Sequence, residues 1–390
     1  MIDNNASKYA SEAYCSISRS PFTGDTINAT HDAIAYFKLT NHFETLFWLC
    51  SQSLAAIALY CLGIESTAHT FGASVVTDTG RILSDSRDVY ASAPGKGIHP
   101  REAAEHHSEV AAGVISDSLK RAGSVKPSEL DGVGVSLGPG LGPCLRVGAT
   151  VARSISAFFD IPLVPVNHAI GHIEIGILTT GAKDPLVVLV SGGHTAIAAF
   201  SGGRWRIFGE TEDITIGNLY DMFAREIDLP SPAGPQIEKL AGKSSHFLTL
   251  PYVVKGNDVS YSGLLTASLA KFRSGAGLED VCYSMQEVSC SMLAEAVERS
   301  LAYTGKKEIL LTGGVAANKT LKEKLEAVAG LHDAVCYVVD SAYTGDCGAQ
   351  IAWTAMLALQ AGLATSAHAA LVRPKWRLED VDIPWRNSAS

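Results

Sequence analysis

Eight cysteines are scattered along the chain with no pair in CxxC spacing, so neither a zinc ribbon nor a disulfide framework is open to it. Cations are also short. Thirty-one Lys and Arg against 40 Asp and Glu leave a net charge of −9, whereas a free-standing nucleic-acid binder needs clustered Lys and Arg. A nucleic-acid substrate would have to meet a local patch or a basic partner. The stiffest glycine loop, Gly138-Pro139-Gly140-Leu141-Gly142-Pro143, contains no Gly-Lys-Ser/Thr, which rules it out as a P-loop. What remains is 390 residues, 47% hydrophobic, with 36 glycines. That is length enough for two domains with separate cores, and the composition of an α/β enzyme with many tight turns. The cysteine usage suits a reducing compartment, with cytoplasm as the expected location.

Residues 1–60 differ from the rest. They begin rich in Ser, Asn and Thr, then turn apolar from Thr45 through Ile64, with no charge between Glu44 and Glu65. On paper such a run spans a bilayer. It lacks a basic flank and starts too far in for an ordinary signal peptide, Ser51-Gln52-Ser53 interrupts it, and residues 58–64 are needed as the first core strand. A loosely packed extension or an upstream start-site error is expected, and no membrane contact.

The rest is organised around Pro165-Val166-Asn167-His168-Ala169-Ile170-Gly171-His172-Ile173-Glu174. His168 and His172 are four apart, so on a helix they share a face, and they follow an apolar run that reads as a buried strand. They make half of a metal site, although an isolated HxxxH is more often a pair of hydrogen-bonded core histidines. Upstream, residues 62–70 read as a strand ending in small hydroxylated residues, with residues 72–76 and 80–83 as the next two strands of a meander. A helix over 102–122 carries His106 and His107; being adjacent, at most one faces a given ligand, and a solvated helix face with one ring tucked under a loop is expected. Residues 131–137 read as a buried strand, and the glycine loop after it runs into a helix over 146–158.

A second strand, 186–190, leads into Ser191-Gly192-Gly193-His194-Thr195 and repeats the design of the Glu65 to Thr70 hairpin. The duplication implies two related lobes, each turning a phosphate-facing loop toward a shared cleft. Asp221 lies in a helix over 218–227, and the turn Pro230 to Pro235 opens the helix containing Glu238. A long helix follows over 278–304, then a strand over 307–312 that runs into Gly313-Gly314-Val315-Ala316-Ala317-Asn318. Asp346 sits at or next to a helix N-cap, where alone it reads as a capping aspartate.

In this order the motifs resemble the Kae1/TsaD/Qri7 family over about residues 61–375. These are the tRNA threonylcarbamoyladenosine transferases of the actin/Hsp70/sugar-kinase (ASKHA) superfamily. His99-Pro100-Arg101-Glu102-Ala103-Ala104 with His106-His107, the Gly138 to Gly148 loop and Val259-Ser260-Tyr261-Ser262-Gly263-Leu264-Leu265-Thr266 are similar to the archaeal and eukaryotic Kae1 branch, the catalytic subunit of the KEOPS complex.

The resemblance implies a two-lobed α/β fold with nucleotide and metal in the interlobe cleft. Its expected parts are an extension over 1–60, lobes over 61–185 and 186–345, and a C-terminal helix and tail, 346–390, packed back on the first lobe. It implies one divalent ion, ferrous iron or zinc, on His168, His172 and Asp346, a donor set with open positions. Nucleotide or substrate contacts are implied at Val190, Ser191, Gly192, Gly193, Asp221, Gly234, Glu238 and Asn318. The implied reaction moves the threonylcarbamoyl group of threonylcarbamoyl-AMP to N6 of adenosine 37 in tRNAs reading ANN codons, with ATP or AMP able to occupy the same site. Implied partners are tRNA and Bud32-type kinase, Cgi121-type and Pcc1-type subunits. No side chain presents itself as the general base.

Three positions depart from the family pattern: Gly171 for Ala, His194 for the Asn of the archaeal branch, and Ala233 for the first Gly of a Gly-Gly-Pro turn. The last would narrow the nucleotide-facing turn if φ there had to be positive. An ATPase or sugar kinase of the same superfamily is disfavoured, since those sites hold magnesium through carboxylates. A zinc peptidase is disfavoured because HExxH needs Glu where Ala169 stands. Candidate tRNA-facing cations are Arg373, Lys375 and Arg377 around Trp376, and the helix face of Lys319, Lys322 and Lys324, the latter expected to be ordinary surface.

Overall fold

From Tyr60 onward, short apolar strands alternate with helices, and in the computed structural model they form two five-stranded sheets. The structure describes residues 58–92, 96–229 and 233–387; the extension up to residue 57 and the turn residues Pro230 to Pro232 lie outside them. The first lobe runs β1 (Tyr60–Glu65), β2 (Thr70–Thr77), β3 (Ser86–Val89), α1 (Pro100–Arg121), β4 (Gly132–Gly138), α2 (Gly142–Phe159), β5 (Leu163–Asn167) and α3 (His168–Thr180). The second runs β6 (Leu186–Val190), β7 (Thr195–Ser201), β8 (Arg204–Glu210), α4 (Ile216–Arg225), α5 (Gly234–Ala241), a ribbon of β9 (Val254–Lys255) and β10 (Asp258–Val259), α6 (Ser262–Arg273), α7 (Leu278–Thr304), β11 (Glu308–Thr312), α8 (Lys319–Leu331) and β12 (Val335–Val338). The short α9 (Ser341–Thr344), then α10 (Gly348–Gln360) and α11 (Pro384–Asn387), complete the chain.

The strand orders are β3-β2-β1-β4-β5 and β12-β11-β6-β7-β8. In each sheet a central strand has an antiparallel meander on one side and two parallel strands on the other. The duplicated two-lobed α/β architecture expected from the paired strand–turn elements is therefore present. One local expectation is corrected. Residues 80–83 are not the third strand of the meander, because Gly80, at φ +81°, closes a turn by donating its N–H to Thr77 O at 3.0 Å. Only the Val76–Ile82 bridge forms there, and the edge strand is Ser86–Val89.

Two devices bring the lobes' functional ends together. Helix α10 docks on the first sheet, where Ile351, Ala355 and Met356 share a core with Cys61, Val164 and Val166. The approach is close enough to require glycine: a Cβ on Gly63 would lie 2.1 Å from Ala352 N, and one on Gly348 would lie 2.4 Å from Ala73 C. Helix α3 lies between the sheets, its Ala169, Ile170 and Ile173 packing with Val187, Leu189 and Leu310 of the second. The tail after α10 then straps both lobes. Arg373 N donates to Leu137 O at 2.6 Å in the first, and Ile383 N donates to Gly203 O at 2.9 Å in the second. No described helix is long and apolar enough to cross a membrane.

Candidate active site

The two histidines begin a helix that starts at a defined residue. Asn167 caps it, its Oδ1 accepting from Ala169 N at 2.9 Å and Ile170 N at 3.3 Å, which satisfies two of the free donors of the first turn. Its Nδ2 donates to Trp376 O at 3.2 Å and Arg377 O at 3.4 Å, so the same side chain fixes the tail. His168 is thereby the first helical residue and His172 lies one turn on, with ring centroids 4.7 Å apart.

Asp346, distant in sequence, comes to both. Its Oδ1 is 3.2 Å from His172 Nε2 and 3.4 Å from His168 Nε2, and ligand atoms of the three residues all lie within 4.8 Å of one another. It precedes Cys347, the N-cap of α10, so it does not cap that helix and its carboxylate faces the imidazoles. Two imidazole nitrogens and one carboxylate oxygen converging in this way could hold a divalent metal ion. The site is well shielded: the His172 side chain is fully buried and that of Asp346 is 23% exposed.

A fourth residue orients His168. Glu65, fully buried at the end of β1, places Oε2 3.0 Å from His168 Nδ1, and its Oε1 accepts from Thr67 N at 2.6 Å. A carboxylate at Nδ1 keeps a proton there and turns the Nε2 lone pair toward the site. Gln350 Nε2, from the first turn of α10, and Thr67 Oγ1 also approach Nδ1, at 3.2 and 3.5 Å. A charged residue closing an otherwise apolar strand was the available signal for Glu65.

Burial disfavours a charge on His168, yet the Glu65 and Asp346 carboxylates outweigh it and hold its pKa well above the usual value. Burial also opposes ionisation of Asp346, but His168 holds its carboxyl well below the ordinary range. His172 is lowered by burial, and His194 is lowered to about 3 by burial together with the two nearby imidazoles. His194 stands with its ring centroid 6.4 Å from that of His168.

The residues implied for nucleotide fall in three places. Val190 ends β6, and Ser191, Gly192 and Gly193 form the turn after it, in which Ser191 Oγ accepts from Gly193 N and His194 N. That turn abuts the second glycine loop, since a Cβ on Gly313 would lie 2.3 Å from Val190 O. Glu238 faces a cleft of about 490 Å³ between α5, α7 and α8 and accepts from Lys319 N at 2.9 Å. Next to it Asn318 caps α8 through Leu321 N. Asp221 accepts from Ala233 N at 2.7 Å, just ahead of Gly234. Ala233 itself has φ −94°, an ordinary conformation for alanine, so the departure from glycine does not strain this turn. At Gly171 an added Cβ would meet Gln350 Cγ and Ile351 Cδ1 at 3.3 Å, so glycine there gives α10 clearance.

The remaining sequence features are accounted for structurally. His107 is buried with Nε2 3.1 Å from Ala68 O, while His106 pairs with Asp88 at 2.8 Å, which is the tucked ring and outer ring expected. The Val259 to Ser262 element hangs on Asp213, which accepts from Ser260 Oγ, Tyr261 N and Ser262 Oγ at 2.5–2.9 Å. Lys324 pairs with Glu287 and Lys322 with Glu326, in keeping with ordinary surface. In the tail, Arg373 stacks on Trp376 and Arg377 faces Glu210 and Glu379.

Known proteins resemble this chain over most of its length. A family profile described as tRNA N6-adenosine threonylcarbamoyltransferase matches residues 81–353. A protein of that name from Thermofilum pendens is 53% identical over 331 residues, covering 85% of this chain and 98% of the relative. Another from Caldivirga maquilingensis is 50% identical over 327 residues, covering 84% and 98%. Among solved structures, HypF from T. kodakarensis superposes with a TM-score of 0.55 at 15% identity, covering 80% of this chain and 49% of that one, a likeness of fold. A profile spanning both lobes, the histidine pair included, and identities near half over most of the chain give one conclusion: this chain belongs to the TsaD family of tRNA N6-adenosine threonylcarbamoyltransferases.

Proposed function

We propose that this chain transfers the threonylcarbamoyl group from threonylcarbamoyl-AMP to N6 of adenosine 37 in tRNAs reading ANN codons. The observation that carries the reading is the convergence of His168, His172 and Asp346 beside the Ser191 to His194 turn, at the junction of two lobes of this family. Asp221 and Glu238 accept from the ribose hydroxyls, Gly234 and Asn318 border the nucleoside, and the backbone of Val190 to Gly193 faces the phosphate. ATP or AMP occupies the same residues.

In the reaction the N6 amine attacks the carbamoyl carbon, the new C–N bond replaces the bond from that carbon to the phosphate oxygen, and AMP leaves. The N6 proton departs with the phosphate or to water. His168, His172 and Asp346 would hold ferrous iron or zinc, which as a Lewis acid supplies polarisation of a phosphate or carbonyl oxygen. Glu65 holds His168 in the competent tautomer.

The net charge of −9 and the internal pairing of most tail cations leave this chain a weak hold on tRNA. It therefore works in the cytoplasm as the catalytic subunit of a KEOPS-type complex, with Bud32-type, Cgi121-type and Pcc1-type subunits supplying positive surface. The test is to incubate the metal-loaded protein, alone and with such subunits, with threonylcarbamoyl-AMP and tRNA, then digest and analyse the nucleosides. Threonylcarbamoyladenosine is expected, in higher yield with the subunits. Its absence under both conditions refutes the reading.

A further inference from the structure

One cavity beside the metal ligands includes, of the residues assigned to metal or nucleotide, Gly193 alone. It has a volume of about 210 Å³ and draws its walls from three parts of the chain: Pro139 of the first lobe, Leu189, Ile207 and His194 of the second, and Lys375 and Trp376 of the tail strap. It lies across the second sheet from the Glu238 cleft. Val188 and Val190 of β6 pack toward α5 and Ile237, whereas Leu189 packs with the α3 and tail side, as the alternation of a strand requires.

Two features mark it as a site for a ligand with polar groups. His194 Nδ1 and Trp376 Nε1 are shielded from solvent and have no hydrogen-bond partner among the described residues, and unpaired buried groups of this kind call for an explanation. The charge at its rim is also unbalanced. Glu210 lines the cavity but faces Arg377 at 3.5 Å, while Lys375 has no ion-pair partner among the described residues.

We propose that this cavity holds the amino-acid end of the acyl donor, with Lys375 pairing its α-carboxylate and His194 and Trp376 flanking it. The inference rests on the transfer reading above. In the donor the adenosine, phosphate, carbamoyl group and amino acid follow one another in line. With adenosine on the α5 side and phosphate at the Ser191 to Gly193 turn, the amino acid emerges on the opposite side of that turn, where His194 stands. The volume is below the roughly 300–1,000 Å³ of pockets for drug-sized ligands, which suits a four-carbon amino acid better than a nucleotide carried on its backbone. The single unpaired cation matches the single carboxylate.

The test uses a hydrolysis-resistant sulfamate analogue of threonylcarbamoyl-adenylate, its counterpart lacking the carboxylate, and AMP, each titrated calorimetrically into the metal-loaded full-length protein. Lys375→Met is expected to weaken the carboxylate-bearing analogue about tenfold, the loss of one charge-assisted contact. It should leave the other analogue and AMP as in the unaltered protein, and Lys375→Arg should restore most of the loss. Unchanged or uniformly reduced binding in Lys375→Met overturns the assignment. So does a raised KM for tRNA with donor affinity intact, which would assign the cavity to the acceptor. Transfer assays on the unaltered protein separate the two readings: if it transfers to tRNA while Lys375→Met behaves normally, only the subsite falls. If the unaltered protein transfers nothing, the function falls and the subsite with it.

Discussion

Replacing Glu65 by glutamine should weaken metal binding without unfolding the protein. The substitution keeps shape and volume in a fully buried position but removes the charge. It also leaves one carbonyl oxygen to serve two donors, the Thr67 N–H at 2.6 Å and the His168 ring at 3.0 Å. One of the two must then face an amide NH₂. A hydrogen bond to a charged group contributes roughly 1.5–3 kcal/mol, and at about 1.4 kcal/mol per decade its loss is roughly a ten- to hundredfold change. That is also the usual cost of removing a group that orients a metal-bound histidine. The assay is a zinc titration against a competing chelator, with circular dichroism of the metal-free protein as the control for folding. Zinc affinity in Glu65→Gln within a factor of two of the unaltered protein would refute the orienting role, since the tautomer of His168 would then be held by something else.

Asp346→Ala and His172→Ala should each lower the metal content found by elemental analysis after dialysis, and full retention in the aspartate variant would remove it from the site. Gly63→Ala should lower stability by about 1–3 kcal/mol or more in chemical denaturation, because the new methyl meets the α10 backbone rather than a movable side chain; a neutral result would show that α10 shifts freely. For Asp213, desolvation is outweighed by the bonds from Ser260, Ser262 and the backbone, so its folded pKa lies below the unfolded value. Its contribution is present above the ordinary aspartate pKa of about 3.9 and is lost as pH falls through the folded value. Asp213→Asn should therefore be less stable at neutral pH, with the gap closing in acid, and parallel melting-temperature profiles across pH would contradict this. Asp221→Ala and Glu238→Ala should each cost about 1–3 kcal/mol of adenine-nucleotide affinity by calorimetry, and unchanged affinity in both would sink the ribose assignment.

Periodicity and turn residues carried most of the fold. The long helix over 278–304 matches α7 residue for residue, because its caps and length leave few alternatives, and the repeated strand–turn–strand units give the duplicated sheets. The meander edge was misplaced because Gly80-Arg81-Ile82-Leu83 has the composition of a strand while Gly80 spends it on a turn. The metal pair was legible from HxxxH spacing, but Asp346 needed the family likeness, since a carboxylate 174 residues away in sequence carries no local signal for its partner. Glu65 showed only as a charged residue closing an apolar strand, with nothing to name its partner, and the cavity behind His194 was not legible. Both depend on which segments the topology brings together, and the strap from Arg373 to Arg386 is too irregular for periodicity to place.

The docking of α10 on β1, β2 and β4 also sets a constraint on the order in which the molecule can be made. The middle of the first sheet is sealed by Ile351, Ala355 and Met356, residues translated some 290 positions after the strand they cover. A ribosome-bound chain that has emitted the whole first lobe still exposes the glycine-lined face meant for α10, and holds two histidines without their carboxylate. The first lobe is thus not a unit that can finish folding ahead of the second, unlike the usual N-terminal-first course of multidomain chains. Closure of a contact at such sequence separation comes late and slowly. That sheet face stays open until α10 is made, and metal can be captured by the full ligand set only after Asp346 has been.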